Sequence, residues 1–166
     1  MDHQVISSDT SMPRLIALLG GDAQFRACLE STMKYLLGKH NLHDWGFRLD
    51  KARSRAGVCN YRLRQICLSR YFVTSKYVNY ESFYNIILHE IAHALTPGHG
   101  HNKVWQAVAR GIGCDGNTFC QPFCSHKYTG VCKCSEKIHY RHQLRSKCSV
   151  RCKFCKNNIE FVKTAS

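Results

Sequence analysis

The chain has 166 residues, 44% of them hydrophobic, and a net charge of +13 at pH 7, which predicts one domain of ordinary size with a small appendage. It contains no run of about 18 apolar residues, and its polar N-terminal residues lack the apolar core of a secretory signal, so neither a membrane-spanning nor a secreted protein is expected. In such a chain, eleven cysteines favour metal binding in a reducing, intracellular compartment over disulfide bonds.

The first third of the chain predicts helices and then strands. Residues 1–12 have the composition of a flexible leader, and residues 13–38 carry apolar side chains at helical spacing. The Gly20-Gly21 pair divides this helix into two pieces. Residues 45–49 and 65–69 predict two short strands. The basic segment between the two strands, residues 51–64, is interpreted as a turn.

The central segment carries an H-E-x-x-H sequence, with His89, Glu90 and His93 at its fixed positions. Apolar residues at helical spacing predict a helix here, which Thr96-Pro97-Gly98 ends. Residues four apart lie on one face of a helix, so the imidazoles of His89 and His93 point the same way. This pattern predicts two ligands of one Zn²⁺, with Glu90 beside the open coordination position.

A catalytic zinc needs a third protein ligand and keeps its fourth position for water. His99 and His101 both follow closely enough to supply that ligand, and the spacing alone leaves both open. The competing interpretation is that His89 and His93 are ordinary helix histidines. A cluster this dense around an H-E-x-x-H rarely arises by chance, so we favour a zinc site.

The segment resembles the SprT-like (Spartan) zinc metalloproteases, whose pattern is H-E-x-x-H, a short connection, and then H-G-x-x-Trp/Phe at the start of the next helix. His101 stands four residues before Trp105 and matches the third ligand of that family, so we predict His101, with His99 as the alternative. Asn102 stands where the family usually has glycine. Trp105 is predicted to pack in the core between two helices.

The order strand, Arg-Ala-Gly-x-Cys-x-Tyr turn, strand and metal helix also resembles this family, so the resemblance covers about residues 15–113. It implies an α+β, zincin-like metalloprotease domain over residues 13–118, with helices packed on a small β-sheet. The H-E-x-x-H sequence would lie on the active-site helix of that domain.

The C-terminal segment, residues 119–166, differs in composition. From His126 onward, ten Lys and Arg face only Glu136 and Glu160. Two close cysteine pairs, separated by 17 residues, predict a Cys₄ zinc ribbon: Cys132, Cys134, Cys152 and Cys155. So small a segment has too little core to fold alone, and a metal supplies the missing free energy. The alternative is free buried thiols. The four other cysteines after residue 113 are left unassigned: Cys114, Cys120, Cys124 and Cys148.

The resemblance implies a zinc-dependent endopeptidase that acts on proteins crosslinked to DNA. His89, His93 and His101 would hold the zinc, and Glu90 would take a proton from the attacking water and pass it to the leaving amine. The positive charge agrees with a polyanionic partner, although it also serves solubility. Seven basic residues of the ribbon segment are predicted to contact nucleic acid: Lys133, Lys137, Arg141, Arg145, Lys147, Arg151 and Lys153.

Two further interpretations remain open. The chain would be a zinc-containing nucleic-acid-binding protein without catalysis if the ribbon and charge were the function and the histidines a structural site. Glu90 argues against this, because a structural site needs no carboxylate beside an open position. Another zinc hydrolase with the same helix is the third interpretation. For the favoured interpretation, the zinc-dependent endopeptidase, we expect a DNA-associated monomer that binds single-stranded or damaged DNA with little sequence preference.

Overall fold

The computed structural model describes residues 9–117, 128–132, 134, 138–141, 150–152 and 155–163. The fold is α+β, and its contacts divide the chain into two units, residues 1–124 and 125–166. The boundary predicted between residues 118 and 119 lies outside the described residues. No helix in the described part of the chain has the length and apolar content needed to span a bilayer.

The first unit contains five helices and three strands in its described part. In chain order they are α1 (Met12–Leu18), α2 (Asp22–Lys39), β1 (Gly46–Asp50), β2 (Gly57–Asn60), β3 (Gln65–Ser69), α3 (Arg70–Val73), α4 (Tyr80–Leu95) and α5 (Lys103–Gly111). The predicted break at Gly20-Gly21 is confirmed, since both glycines have positive φ, +90° and +98°. The two predicted strands are also confirmed, as β1 and β3.

The interpretation of residues 51–64 as a turn is wrong for their middle part, which forms β2. Strand β2 pairs antiparallel with β3, and β1 pairs parallel with β3 on its other side, giving the order β1-β3-β2. All four residues of β2 are half-buried, so the strand lacks the alternation of exposed and buried residues that a sequence pattern can detect. Pairing with a neighbour, and not local sequence, makes this segment a strand.

The described end of the predicted leader also belongs to the fold. The Met12 N–H donates to the Val78 carbonyl at 2.8 Å, and the Tyr80 N–H donates to the Thr10 carbonyl at 2.9 Å. Met12 is fully buried, because its apolar side chain packs in the main core. Residues 10–12 are therefore not flexible leader; they lie against the chain that leads into α4.

The core fixes α4 on two sides. Ile87 and Ile91 of α4 are fully buried in the main cluster, as is Ile66 of β3. A separate cluster joins Ala92 of α4 to Trp105 of α5, both fully buried. Each large apolar side chain buried in this way stabilises the fold by about 1.5–3 kcal/mol. The helix with the H-E-x-x-H sequence is therefore held by packing against both the sheet and α5.

The second unit has a three-stranded antiparallel sheet of order β5-β4-β6, with β4 (Tyr128–Val131), β5 (Ile138–Arg141) and β6 (Phe161–Lys163). Its small core contains Cys132, Cys152 and Ile159. Gly130 of β4 allows close packing, because a Cβ atom there would lie 2.7 Å from the Glu160 carbonyl oxygen.

Candidate metal centres

Helix α4 and the loop after it bring three histidines together. The Asn79 side chain caps the start of α4 by accepting from the Ser82 N–H at 2.9 Å. After α4 ends, Gly98 and Gly100 adopt positive φ, +80° and +54°, and the chain turns back. Asn102 then caps α5, its side-chain oxygen accepting from the backbone N–H groups of residues 104 and 105. That cap gives a local reason for asparagine at the position where glycine was expected.

The Nε2 atoms of His89, His93 and His101 converge on one point. They lie 3.2 Å apart between His89 and His93, and 3.0 Å apart between His101 and each of the other two. Ligand nitrogens about 2.0–2.1 Å from a tetrahedral zinc are separated by about 3.3 Å, so the three imidazoles fit such an ion. These residues form a group able to hold a metal.

His99 does not join this group. Its Nδ1 atom lies 3.2 Å from the side-chain nitrogen of Asn102, and its side chain is exposed. The structure therefore brings His101, the predicted third ligand, to His89 and His93, and it leaves the alternative, His99, outside this group. That His101 is the third ligand remains a prediction.

Trp105 packs against all three imidazoles. Its ring centroid lies 4.7 Å from that of His89, 5.1 Å from that of His93 and 4.6 Å from that of His101. The predicted burial of Trp105 is confirmed, since it is fully buried. The sequence predicted only a core position for Trp105, whereas in the structure the same ring also restrains the orientation of the histidines.

The environment keeps two of the histidines neutral. Burial, followed by the nearby imidazoles, lowers the pKa of His89 to about 4. Burial and the neighbouring His101 lower the pKa of His93 to about 4 as well. A neutral imidazole has the lone pair that a metal requires. A hydrogen bond with the backbone of Asn117 opposes the shift in the pKa of His89, and metal-binding histidines typically make a hydrogen bond of this kind.

Glu90 is buried between α4 and β2, with 6% of its surface exposed. Burial raises its pKa to about 7, while Arg55 and a hydrogen bond from the backbone of Cys59 act in the opposite direction. The carboxylate lies directly against Gly57, where a Cβ atom would come within 2.7 Å of both Cγ and Oε1 of Glu90. The missing side chain at position 57 therefore makes room for this carboxylate.

A cleft of about 610 Å³ opens over these groups, lined by β2 and its flanking residues, by α4 and by the loop that follows it. Tyr61 lines the cleft, and its hydroxyl donates to the His93 carbonyl at 3.0 Å. A cleft of about 700 Å³ between α2 and β1 contains no such cluster of ligands. We therefore place the candidate site in the smaller cleft.

A model of the SprT-like family matches residues 25–129. The chain belongs to the SprT-like family. The matched range begins in α2, contains the histidine group and Glu90, and ends in β4, so the resemblance found in the sequence is confirmed. No curated protein and no solved structure is significantly similar to the chain.

The second unit of this SprT-like chain contains another group able to hold a metal, formed by the four cysteines predicted for the ribbon: Cys132, Cys134, Cys152 and Cys155. The Sγ atom of Cys132 lies 3.2 Å from that of Cys134 and 3.4 Å from that of Cys155. These distances exclude disulfide bonds of about 2.05 Å and approach the roughly 3.8 Å between thiolates on a tetrahedral zinc. Cys134 is exposed, which disfavours the alternative of four buried thiols.

Most of the predicted nucleic-acid contacts lie outside the described residues. This holds for Lys133, Lys137, Arg145, Lys147 and Lys153. Arg141 lies in β5, and Arg151 is exposed beside the buried Cys152. Their role remains a prediction. Of the four unassigned cysteines, Cys114 belongs to the core cluster around Trp105, and the other three, Cys120, Cys124 and Cys148, lie outside the described part.

Three residues of the site were not predicted from the sequence: Arg55, Gly57 and Tyr61. All three stand in the Arg-Ala-Gly-x-Cys-x-Tyr string, which marked the family resemblance but received no role. This sequence string was the signal by which these residues could have been found. Their roles depend on contacts with Glu90 and His93, which lie some thirty residues further along the chain.

Proposed function

We propose that this SprT-like chain is a zinc-dependent endopeptidase with a zincin-like catalytic domain. One observation carries the proposal: three converging imidazoles and the buried carboxylate of Glu90 line the same cleft. Family membership supports a metalloprotease-like role. The three-nitrogen donor set and its spacing suit zinc, and the four thiols of the second unit suit a structural zinc.

When bound at the imidazoles, zinc would supply a Lewis acid that polarises a peptide carbonyl and acidifies a water molecule. The chain's own part in the reaction is proton transfer. Glu90 would accept a proton from the attacking water and deliver it to the departing amine. Gly57 and the Cys59 N–H hold the carboxylate in place, and Trp105 holds the imidazoles.

Replacement of Glu90 tests this assignment. Glu90→Gln should keep the fold and the zinc, because no imidazole changes, and should lower peptide cleavage by about 10²–10⁴-fold, the usual contribution of a general base. The measurements are cleavage of casein or a quenched peptide and zinc content by elemental analysis. Glu81→Gln is a matched control, since Glu81 is exposed in the first turn of the same helix. Near-wild-type cleavage by Glu90→Gln would contradict the mechanism and favour a non-catalytic zinc protein.

We further propose that the substrates are proteins bound or crosslinked to DNA and that the chain is intracellular and DNA-associated. The net charge of +13 supports attraction to a polyanion. No disulfide bond joins the cysteines of the described residues, and proteins of reducing compartments rarely form such bonds. Cleavage of a DNA-bound protein, compared with and without DNA, tests the substrate class, and cleavage that DNA does not stimulate would contradict it.

A further inference from the structure

The larger cleft of the first unit, about 700 Å³ in volume, lies between α2 and β1. Its lining comes from the side of α2 between residues 26 and 38, and from residues 42–49, which lead into and form most of β1. Among the described residues, none lines both this cleft and the candidate active-site cleft. We call this separate space the β1 groove.

The β1 groove follows the outer edge of a strand. Strand β1 pairs with β3 on one side, and no strand of the described part of the chain pairs with its other side. The Gly46 N–H donates toward β3, to the Arg64 carbonyl at 2.8 Å. Because the backbone groups of successive strand residues point to opposite sides, those of Phe47 and Leu49 point outward. Such an edge is a template for one more strand.

Apolar side chains form the floor of this groove. Trp45, Phe47 and Leu49 alternate along the strand, are half-buried and pack against the main core. Leu37 of α2 is buried beside them. Arg48, which points to the other face of the sheet, also lines the groove, so the groove includes the edge of β1 and not only one face. A bound chain would therefore meet both unpaired backbone groups and apolar side chains.

The rim of the groove is positively charged. Arg26 and Lys34 of α2 and Arg48 of β1 are exposed cations, and Glu30 is the only acidic residue that lines the groove. Neither of the two salt bridges within the described residues involves these four side chains. Three positive charges and one negative charge leave a net charge of +2, which attracts acidic side chains.

The size and charge of the groove indicate what it binds. Arg26 and Gly38 are twelve residues apart on α2, so the groove is roughly 18 Å long, enough for about five residues of extended chain. Pairing with β1 of a second copy would bring two sets of like charges together, which is unfavourable. A nucleic acid would match the charge but has no strand to pair with β1.

We propose that the β1 groove binds an extended acidic segment of a partner protein, which adds as a strand to the edge of β1. The backbone of the segment pairs with Phe47 and Leu49, and its apolar side chains cover the floor. Its carboxylates lie against the cations of the rim. The site does not depend on peptidase activity, because it lies outside the candidate active-site cleft.

The test uses the full chain and a fluorescein-labelled octapeptide in which Glu and Val alternate, with binding measured by anisotropy. An octapeptide in which Lys and Val alternate should bind at least about tenfold more weakly, because the rim repels it. Equal affinity for the two peptides, or no binding of the Glu peptide at about 1 mM, would overturn the proposal.

Strand addition is tested on the backbone of the same peptide. In an extended chain, all Val amides point to one edge and all Glu amides to the other. One peptide is N-methylated at every Val and another at every Glu. Only one of these edges faces β1, so one peptide should lose at least about tenfold in affinity while the other keeps its affinity. Equal affinities of the two methylated peptides would overturn the strand pairing.

Matched variants of the protein separate the groove from net charge. Arg26→Gln with Lys34→Gln removes two exposed cations of the rim and should weaken binding about 3–10-fold, as for two exposed ion pairs. Arg14→Gln with Lys76→Gln removes two exposed cations that do not line the groove and should leave the affinity unchanged. Equal weakening by both pairs would show an effect of net charge alone and overturn the proposal.

Tryptophan emission locates the bound peptide. The chain has two tryptophans, Trp45 in the groove and Trp105, which is fully buried in another cluster. Binding should shift the emission, and Trp45→Phe should remove the shift. A shift that persists would place the peptide elsewhere and overturn the proposal. Displacement of the peptide by single-stranded DNA would assign the groove to nucleic acid, and a dimer that the peptide dissociates would assign it to a second copy; either result overturns the proposal.

Discussion

At the scale of single residues, the candidate site depends on Gly57, which has no side chain. Gly57 has no conformational need to be glycine, but a Cβ atom there would enter the space of the Glu90 carboxylate. Gly57→Ala should therefore displace the general base while leaving the imidazoles in place. We expect peptide cleavage to fall by about 10–100-fold, as for a misplacement of about 1 Å, with zinc content unchanged.

A second glycine supplies the control for this prediction. Gly111 ends α5, and a Cβ atom there would meet nothing within 4 Å. Gly111→Ala should leave cleavage at the wild-type level. Equal activity of the Gly57 and Gly111 variants would show that the contact between Gly57 and Glu90 does not matter for the reaction.

The identity of the third zinc ligand is tested by replacing two nearby histidines, His101 and His99, one at a time. His101→Ala removes one of the three converging nitrogens and should lower the zinc content from about two ions per chain to about one. His99→Ala should keep both ions, because His99 is bonded to Asn102 instead. Elemental analysis of the purified variants decides between them. Loss of zinc from the His99 variant alone would reverse the assignment.

At the scale of elements, local sequence predicted those that carry their own signal. The helix break at Gly20-Gly21, strand β1 and helix α4 follow from glycine, alternation and helical spacing. Strand β2 could not be predicted in this way, because its four half-buried residues acquire their conformation by pairing with β3. For the same reason the contact of Gly57 with Glu90 was missed, whereas the spacing within the H-E-x-x-H sequence placed His89 and His93 together.

An element-scale prediction concerns β4 of the ribbon. A methyl group at Gly130 would meet the Glu160 backbone carbonyl at 2.7 Å, and a backbone group in a small sheet cannot rotate away. Gly130→Ala should destabilise the second unit by about 1–3 kcal/mol. Val131→Ala, at the exposed next position of the strand, should have little effect. Faster loss of one zinc to a chelator is the measurement, and equal rates for both variants would contradict the prediction.

At the scale of the whole molecule, the two units should respond separately to loss of their metals. Cys152→Ser with Cys155→Ser removes two of the four cysteine ligands of the ribbon, so its small core should lose its structure. The first unit has its own core and should keep its fold and its zinc. DNA affinity should fall, and its salt dependence should become flatter. Unchanged affinity, or loss of both zinc ions, would contradict this division.

The packing of α4 between the sheet and α5 has a consequence for the thermodynamics of metal uptake. Because burial of Ile87, Ile91 and Trp105 already orders the helix and the imidazoles, the conformational entropy of three ligands is lost during folding and not during binding. Zinc should enter the histidine group with a heat-capacity change near zero. The ribbon buries its few apolar groups only around its metal, so its zinc uptake should carry a clearly negative heat-capacity change. Calorimetry would therefore separate the two binding events by the size of this change.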